Sequence, residues 1–111
     1  MIYITLTMTS NTPMLTAKLQ RSGRAQKKYQ VSVFLNNQPV KVIHFGDPEY
    51  EDLTQHGNEQ RKKNYIARHK KRENWNDPFS ASFWAKHLLW NKPSIKEAKE
   101  DITKMFGIEF L

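Results

Sequence analysis

The sequence predicts an α+β fold: one small domain in which an antiparallel β-hairpin is covered by about three helices. Three observations predict it. Lys28 to Leu35 (KYQVSVFL) alternates apolar and polar residues, and a second strand-like run, Val40 to Phe45, follows after four turn-forming residues. From residue 59 onward the apolar spacing changes from two to the three-and-four pattern of helices. The 111 residues suffice for one hydrophobic core and are too few for two ordinary domains. Thirteen aromatic residues (three Trp, four Tyr, six Phe) supply large buried areas to that core.

Residues 1–27 read as a separate, extended arm. They are rich in Thr, Ser, Asn and Gln, and Met1 to Thr9 alternates (Ile2, Ile4, Leu6, Met8) in the manner of a strand. The arm ends in a basic stretch, Lys18, Arg21, Arg24, Lys27 and Lys28. Alone it buries too little surface to become ordered, so it is expected to lie on its own domain, a second copy or a partner. The domain proper is then 28–111.

Its first strand places Tyr29, Val31, Val33 and Leu35 on one face. Asn36-Asn37-Gln38-Pro39 makes the turn, because Asn tolerates left-handed backbone and Pro39 fixes the entry to the next strand. Gly46-Asp47-Pro48 ends the hairpin, and an acidic link follows over 47–57. Asn58 is expected to cap a helix from about Glu59 to Arg72, with Glu59 at the positive end of the dipole. Its apolar stripe is narrow: Tyr65, Ile66 and His69, with the Lys62 stem beside them. Asp77-Pro78 reads as the cap and first residue of a core helix over about 78–90, apolar on most sides through Phe79, Phe83, Trp84, Leu88, Leu89 and Trp90. Ser94 to Glu97 matches a capping box, Ile95, Ala98, Ile102, Met105 and Phe106 recur at helical spacing, and Gly107 stands at the C-cap. The apolar tail Ile108, Phe110 and Leu111 fits a short edge strand.

Charge is segregated along the chain. Residues 1–46 hold six Lys/Arg and no acid, 47–60 five acids and no Lys/Arg, and 61–72 seven Lys/Arg and no acid; the net charge is +7. Such blocks favour electrostatic recognition of acidic partners, nucleic acid first. In the stretch Arg61 to Trp90 basic residues interleave with aromatics, as polyanion-binding surfaces do. Arg61, Lys63, Arg68, Lys70, Lys71 and Arg72 are the candidate contacts to phosphate or an acidic partner. Trp75 is the candidate for stacking, since it lies between the basic helix and the next helix start. Trp84 and Trp90 read as core. The arm contributes Lys18, Arg21, Arg24, Lys27 and Lys28 as further contacts. A solvated basic face beside a neutralising loop is the plainer alternative.

Catalysis is not expected, and neither is a cofactor. With no Cys there is no disulfide, thiolate metal site or thiol nucleophile. His44, His56, His69 and His87 form no ligand pair at helical spacing, so no metal site is predicted. The four glycines are scattered and build no phosphate loop. The acidic link (Asp47, Glu49, Glu51, Asp52) with His56 could serve a small metal-dependent nuclease only if these side chains converged. No apolar run reaches the length of a membrane span, and Met1 to Met8 lacks the charged flank of a secretory signal, so a soluble intracellular product is expected.

Three segments, HFGDPEYEDLTQH (44–56), EQRKKNYIARHKKRENWNDPF (59–79) and FWAKHLLWNKPS (83–94), resemble a family of small uncharacterised basic proteins. Nucleocytoplasmic large DNA viruses of algae and amoebae encode that family. The resemblance runs from Lys28 to Phe106 and does not extend to residues 1–27. It implies a viral source and a role in the virion or at the viral genome, and it carries no activity or catalytic residues. The expected function is therefore a virion structural protein, a minor capsid (cement) or internal component. It would hold capsid or other virion proteins through its arm and basic helix, in the virion and in the host cytoplasm during assembly. The alternative is a nucleic-acid-binding protein that contacts DNA or RNA phosphates without sequence specificity.

Overall fold

The computed structural model describes residues 14–111. Its elements are β1 (Leu15–Arg21), β2 (Tyr29–Leu35), β3 (Gln38–Phe45), α1 (Leu53–His56), α2 (Glu59–His69), α3 (Ala81–Trp84) running on as a π-helical turn (Ala85–Leu89), α4 (Ile95–Phe106) and β4 (Glu109–Phe110). The α+β expectation holds, and the predicted hairpin is β2–β3. Its turn is tighter than predicted: Asn36 and Asn37 alone bridge the strands, with φ of 50° and 68°. Two successive left-handed residues match the right-handed twist of the flanking strands, and Asn occupies that region more readily than most side chains.

The hairpin is not two-stranded in isolation. The strands lie in the order β3-β2-β1-β4, with β1 antiparallel to β2 and parallel to β4. Leu15–Arg21, read above as the distal part of an arm, is thus an interior strand. Ala17 is fully buried there, with Leu15 and Leu19 packed against the core. The period-two alternation of those three residues was overshadowed by the polar and basic residues between them. The proposed strand at Met1–Thr9 lies outside the described residues.

One face of the sheet carries Ala17, Val31, Val33, Ile43 and Phe45, and against it pack Phe83, Trp84, Leu88, Leu89, Ala98, Ile102 and Ile108. The segment 81–89 is the central core helix, as its all-round apolarity predicts, but it begins later than expected. Asp77 accepts from the Phe79 amide at 2.9 Å and closes a turn. Ser80 then supplies the cap, accepting from Phe83 N–H. A side chain that bonds two residues onward stabilises a turn in place of a first helical turn. α4 begins and ends where predicted, with Gly107 closing it at φ 70°, but only half of the predicted capping box forms: Ser94 Oγ accepts from the Glu97 amide. The tail forms β4 on the free edge of β1.

A second glycine is required where β3 leaves the sheet. Gly46 has φ 85°, and a Cβ there would lie 3.0 Å from Leu89 Cδ1 and 3.1 Å from Lys28 Cβ. That close approach lets the acidic segment fold back over the end of the sheet.

Candidate nucleic-acid interface

The acidic segment is more ordered than a link. Asp52 caps α1 and forms a capping box with Gln55. Its carboxylate also accepts from the Lys28 ammonium at 2.6 Å, in a pair whose side chains are 13% and 5% exposed. Gln55 Oε1 takes a second Lys28 proton at 2.6 Å. The box is visible in the sequence as Asp52-x-x-Gln55 once looked for. Lys28, predicted as a free contact, is instead committed to this buried pair, because a cation so enclosed needs a carboxylate to offset its desolvation.

α2 starts where predicted: Asn58 Oδ1 accepts from the amides of Gln60 and Arg61, both at 3.0 Å. It is fastened to the body by its narrow stripe. The Tyr65 ring lies parallel to Trp90 (4.5 Å, 4°) and stacks on His69 (4.3 Å, 27°), while His56 tilts against the other partner, Trp90, at 5.4 Å. The Lys62 ammonium donates to the Asn91 carbonyl at 2.8 Å. Burial pushes the Tyr65 phenol well above its usual range, with the nearby Glu73 carboxylate adding to the effect and Arg68 opposing it.

The helix ends at His69, earlier than predicted. Lys70, Lys71 and Arg72 lie in the turns beyond it, where the amides of Arg72 and Glu73 both bond back to the His69 carbonyl. Glu73 then receives His69 Nδ1 at 2.7 Å and the Trp75 indole N–H at 2.9 Å. The proposed stacker Trp75 is therefore anchored and half-buried, with the Lys86 ammonium 5.4 Å from its ring centroid. Its carbonyl accepts from His87 Nε2 at 2.8 Å.

Arg61, Lys63, Arg68, Lys70, Lys71 and Arg72 are all exposed, yet they do not share one face. At about 100° per residue, Arg61 and Arg68 fall on one flank of α2 and Lys63 and Lys70 on a flank about 160° away. Arg61 faces Glu51 at 3.6 Å, both side chains being largely solvated, so the pair contributes little stability. Lys63, Arg68, Lys70, Lys71 and Arg72 form no salt bridge among the described residues.

Arg68 opens onto a cleft of about 760 Å³ between the acidic segment, α2 and the start of α3. Its lining combines the apolar Phe45, Tyr65, Leu89 and Trp90 with Tyr50, the cations Lys27 and Lys28, and four carboxylates, Asp47, Glu51, Asp52 and Glu73. Tyr50 is 68% exposed. Tyr50 is not among the residues predicted above, although its place between Glu49 and Glu51 in a loop marks it as an exposed aromatic. A second hollow, of about 440 Å³, lies beside Arg21, Arg24 and Lys27. Lys27 borders both concavities, whereas Lys18 projects from the sheet face opposite the core, in register with Ser32. The basic residues of the predicted arm are thus divided between two sides of the sheet.

Asp47, Glu49, Glu51, Asp52 and His56 do not assemble as a nuclease centre would. Asp52 is held in the cap and ion pair, and among the described residues no three His, Asp or Glu side chains gather as a metal site. Nor, among those residues, is any helix long and apolar enough to cross a membrane.

Residues 17–69, a little under half of the chain, match the model of a family of unknown function (DUF5754). The match takes in β1 from Ala17 on, the hairpin, the acidic segment and α2, and leaves out α3, α4 and β4. No curated protein and no solved structure matches the chain.

Proposed function

We propose that the protein binds the phosphate backbone of nucleic acid, without reading sequence, through the exposed cations of α2 and of the turn after it. One observation carries this reading. Lys63, Arg68, Lys70, Lys71 and Arg72 stand exposed within ten residues of chain, and none forms a salt bridge among the described residues. Like charges crowded into so short a stretch repel one another, and a polyanion relieves that repulsion while releasing its own counterions. Phosphate contacts fix position and carry no base information, which suits a set of cations divided between a helix and the turns after it and not aligned along a groove.

The resemblance to proteins of large DNA viruses supports a virion as the setting. There the protein would serve as a minor capsid or internal component, with packaged genome or an acidic capsid surface against α2. Clean virions that lack the protein would remove the setting and leave the binding chemistry intact.

The test is a salt titration of affinity for duplex DNA. Changing Arg68, Lys70, Lys71 and Arg72 together to Gln removes up to four phosphate contacts, so the slope of log K against log salt should become shallower by about 3–4. Weakening should be uniform across unrelated sequences. Binding indifferent to salt, or absent at 50 mM salt, overturns the reading.

A further inference from the structure

We infer that the hollow between the β1–β2 loop and α1 is a binding site for a terminal phosphate group, separate from the cations of α2. The hollow, of about 440 Å³, is lined by Arg21, Arg24 and Lys27 from the end of β1 and the loop after it, and by Gln55 from α1, together with Lys28 and the Asp52 cap. Its acceptors are spent and its donors are not. Asp52 is the one carboxylate in the lining, and its oxygens already accept from the Lys28 ammonium and from the amide and hydroxyl of Thr54. Gln55 Oε1 accepts from the Asp52 amide at 2.9 Å and from Lys28 Nζ at 2.6 Å. The Nε2 group of the same amide has no acceptor among the described residues. An ammonium carries three donors, and Lys28 places two, so one proton is left over on a side chain only 13% exposed. Arg21, Arg24 and Lys27 are exposed, and their side chains form no salt bridge or hydrogen bond among the described residues. A concavity whose carboxylate is satisfied while donors from five side chains stand idle is suited to an oxyanion.

The loop is tied down before any ligand arrives. The Ser22 amide donates to the Lys28 carbonyl at 3.1 Å, and the Lys28 amide to the Gly46 carbonyl at 2.9 Å. The Arg24 amide donates to Ser22 Oγ and the Gly23 amide to Gln30 Oε1, both at 2.9 Å. An anion therefore orders side chains and not backbone, which keeps the entropic cost of binding low. A phosphate at the end of a ligand carries close to two negative charges at neutral pH and presents three oxygens. A backbone diester carries one charge and is flanked by a sugar on each side. Cations gathered around a recess match the former, and the guanidinium forks of Arg21 and Arg24 can each take two of its oxygens.

The experiment titrates the full chain with inorganic phosphate at constant ionic strength, balanced with chloride, and follows backbone amide shifts by NMR. The shifts should saturate with a Kd on the order of 1 mM and centre on residues 22–28, 54 and 55. Arg24→Gln combined with Lys27→Gln, both at exposed positions, should weaken binding at least about tenfold and leave the melting temperature unchanged. The variant with Arg68, Lys70, Lys71 and Arg72 changed to Gln should bind phosphate as the full chain does. Competition then identifies the source. Displacement by a 5′-phosphorylated oligonucleotide, and not by its 5′-hydroxyl form, assigns the site to strand ends; displacement by a nucleoside monophosphate alone assigns it to a free phosphate ester. Either result supports the site. Shifts that do not saturate, that fall on residues 63–72, or that survive the double variant overturn it, as does equal displacement by the hydroxyl form or displacement by no ester. Each of these leaves the reading of α2 standing, and loss of DNA binding with these shifts intact removes that reading alone.

Discussion

Among single residues, His87 shows how packing sets chemistry. It is 4% exposed, lies between the Phe83 and Phe106 rings at 4.6 and 4.9 Å, and donates through Nε2 to the Trp75 carbonyl. Nδ1 is buried with no hydrogen-bond partner among the described residues, so the neutral ring is the form this site accommodates. Burial, with the nearby Lys86 ammonium, lowers its pKa; the Trp75 carbonyl and Asp101 work the other way. A folded-state pKa below the unfolded value of about 6.5 means that the unfolded chain takes up the proton first. Stability is then full above about pH 6.5 and is lost as pH falls through that value toward the folded pKa. Thermal melts between pH 7 and pH 5 should show this decline, and His87→Gln should flatten part of it. An identical slope in the variant would assign the decline to other groups. In the sequence this histidine was one of four without a pattern, since nothing local reveals that two phenylalanines 23 residues apart (83 and 106) close around it.

For the elements, legibility followed the locality of the signal. The Asn58 and Ser94 caps, the Gly107 terminus and the β2–β3 pairing were readable because each depends on residues within a few positions. The start of α3 was misplaced because Asp77-Pro78 suits a turn as well as a helix start, and only tertiary packing of Trp84, whose indole donates to the Pro78 carbonyl at 2.7 Å, decides between them. The π-helical turn after it has no local signature. α1 was missed because its capping box sits in a segment that reads as acidic filler. That cap makes a stability prediction. Asp52→Ala removes the α1 cap and strands the Lys28 ammonium in a nearly closed site, which should cost about 3 kcal/mol in urea unfolding at pH 7. A loss below about 1 kcal/mol would mean that Lys28 behaves as a solvated surface charge.

Across the whole molecule, the cleft was the least legible feature. Lys27, Tyr50, Arg68 and Trp90 come from four separate stretches of chain, and only the sheet order and the fold-back at Gly46 bring them to one opening. Charge and aromatic content are legible along the chain, whereas the shape that gathers them is not. The sheet order also makes β1 depend on residues from the other end of the described chain. Phe110 pairs with Ala17 and meets Trp84 edge-on at 6.1 Å. Phe110→Ala, at a half-buried position, should cost about 2 kcal/mol and speed amide hydrogen exchange along β1 more than along β3. Equal acceleration in all strands would show instead that the sheet opens as one unit. The parallel sense of the β1–β4 pair has a mechanical consequence. Tension applied between Met14 and Leu111 runs along the two neighbouring strands in opposite directions. It therefore shears their hydrogen bonds, including the one from the Leu111 amide to the Ala17 carbonyl at 2.8 Å, all at once, where an antiparallel edge strand loaded at its free end would peel away one bond at a time.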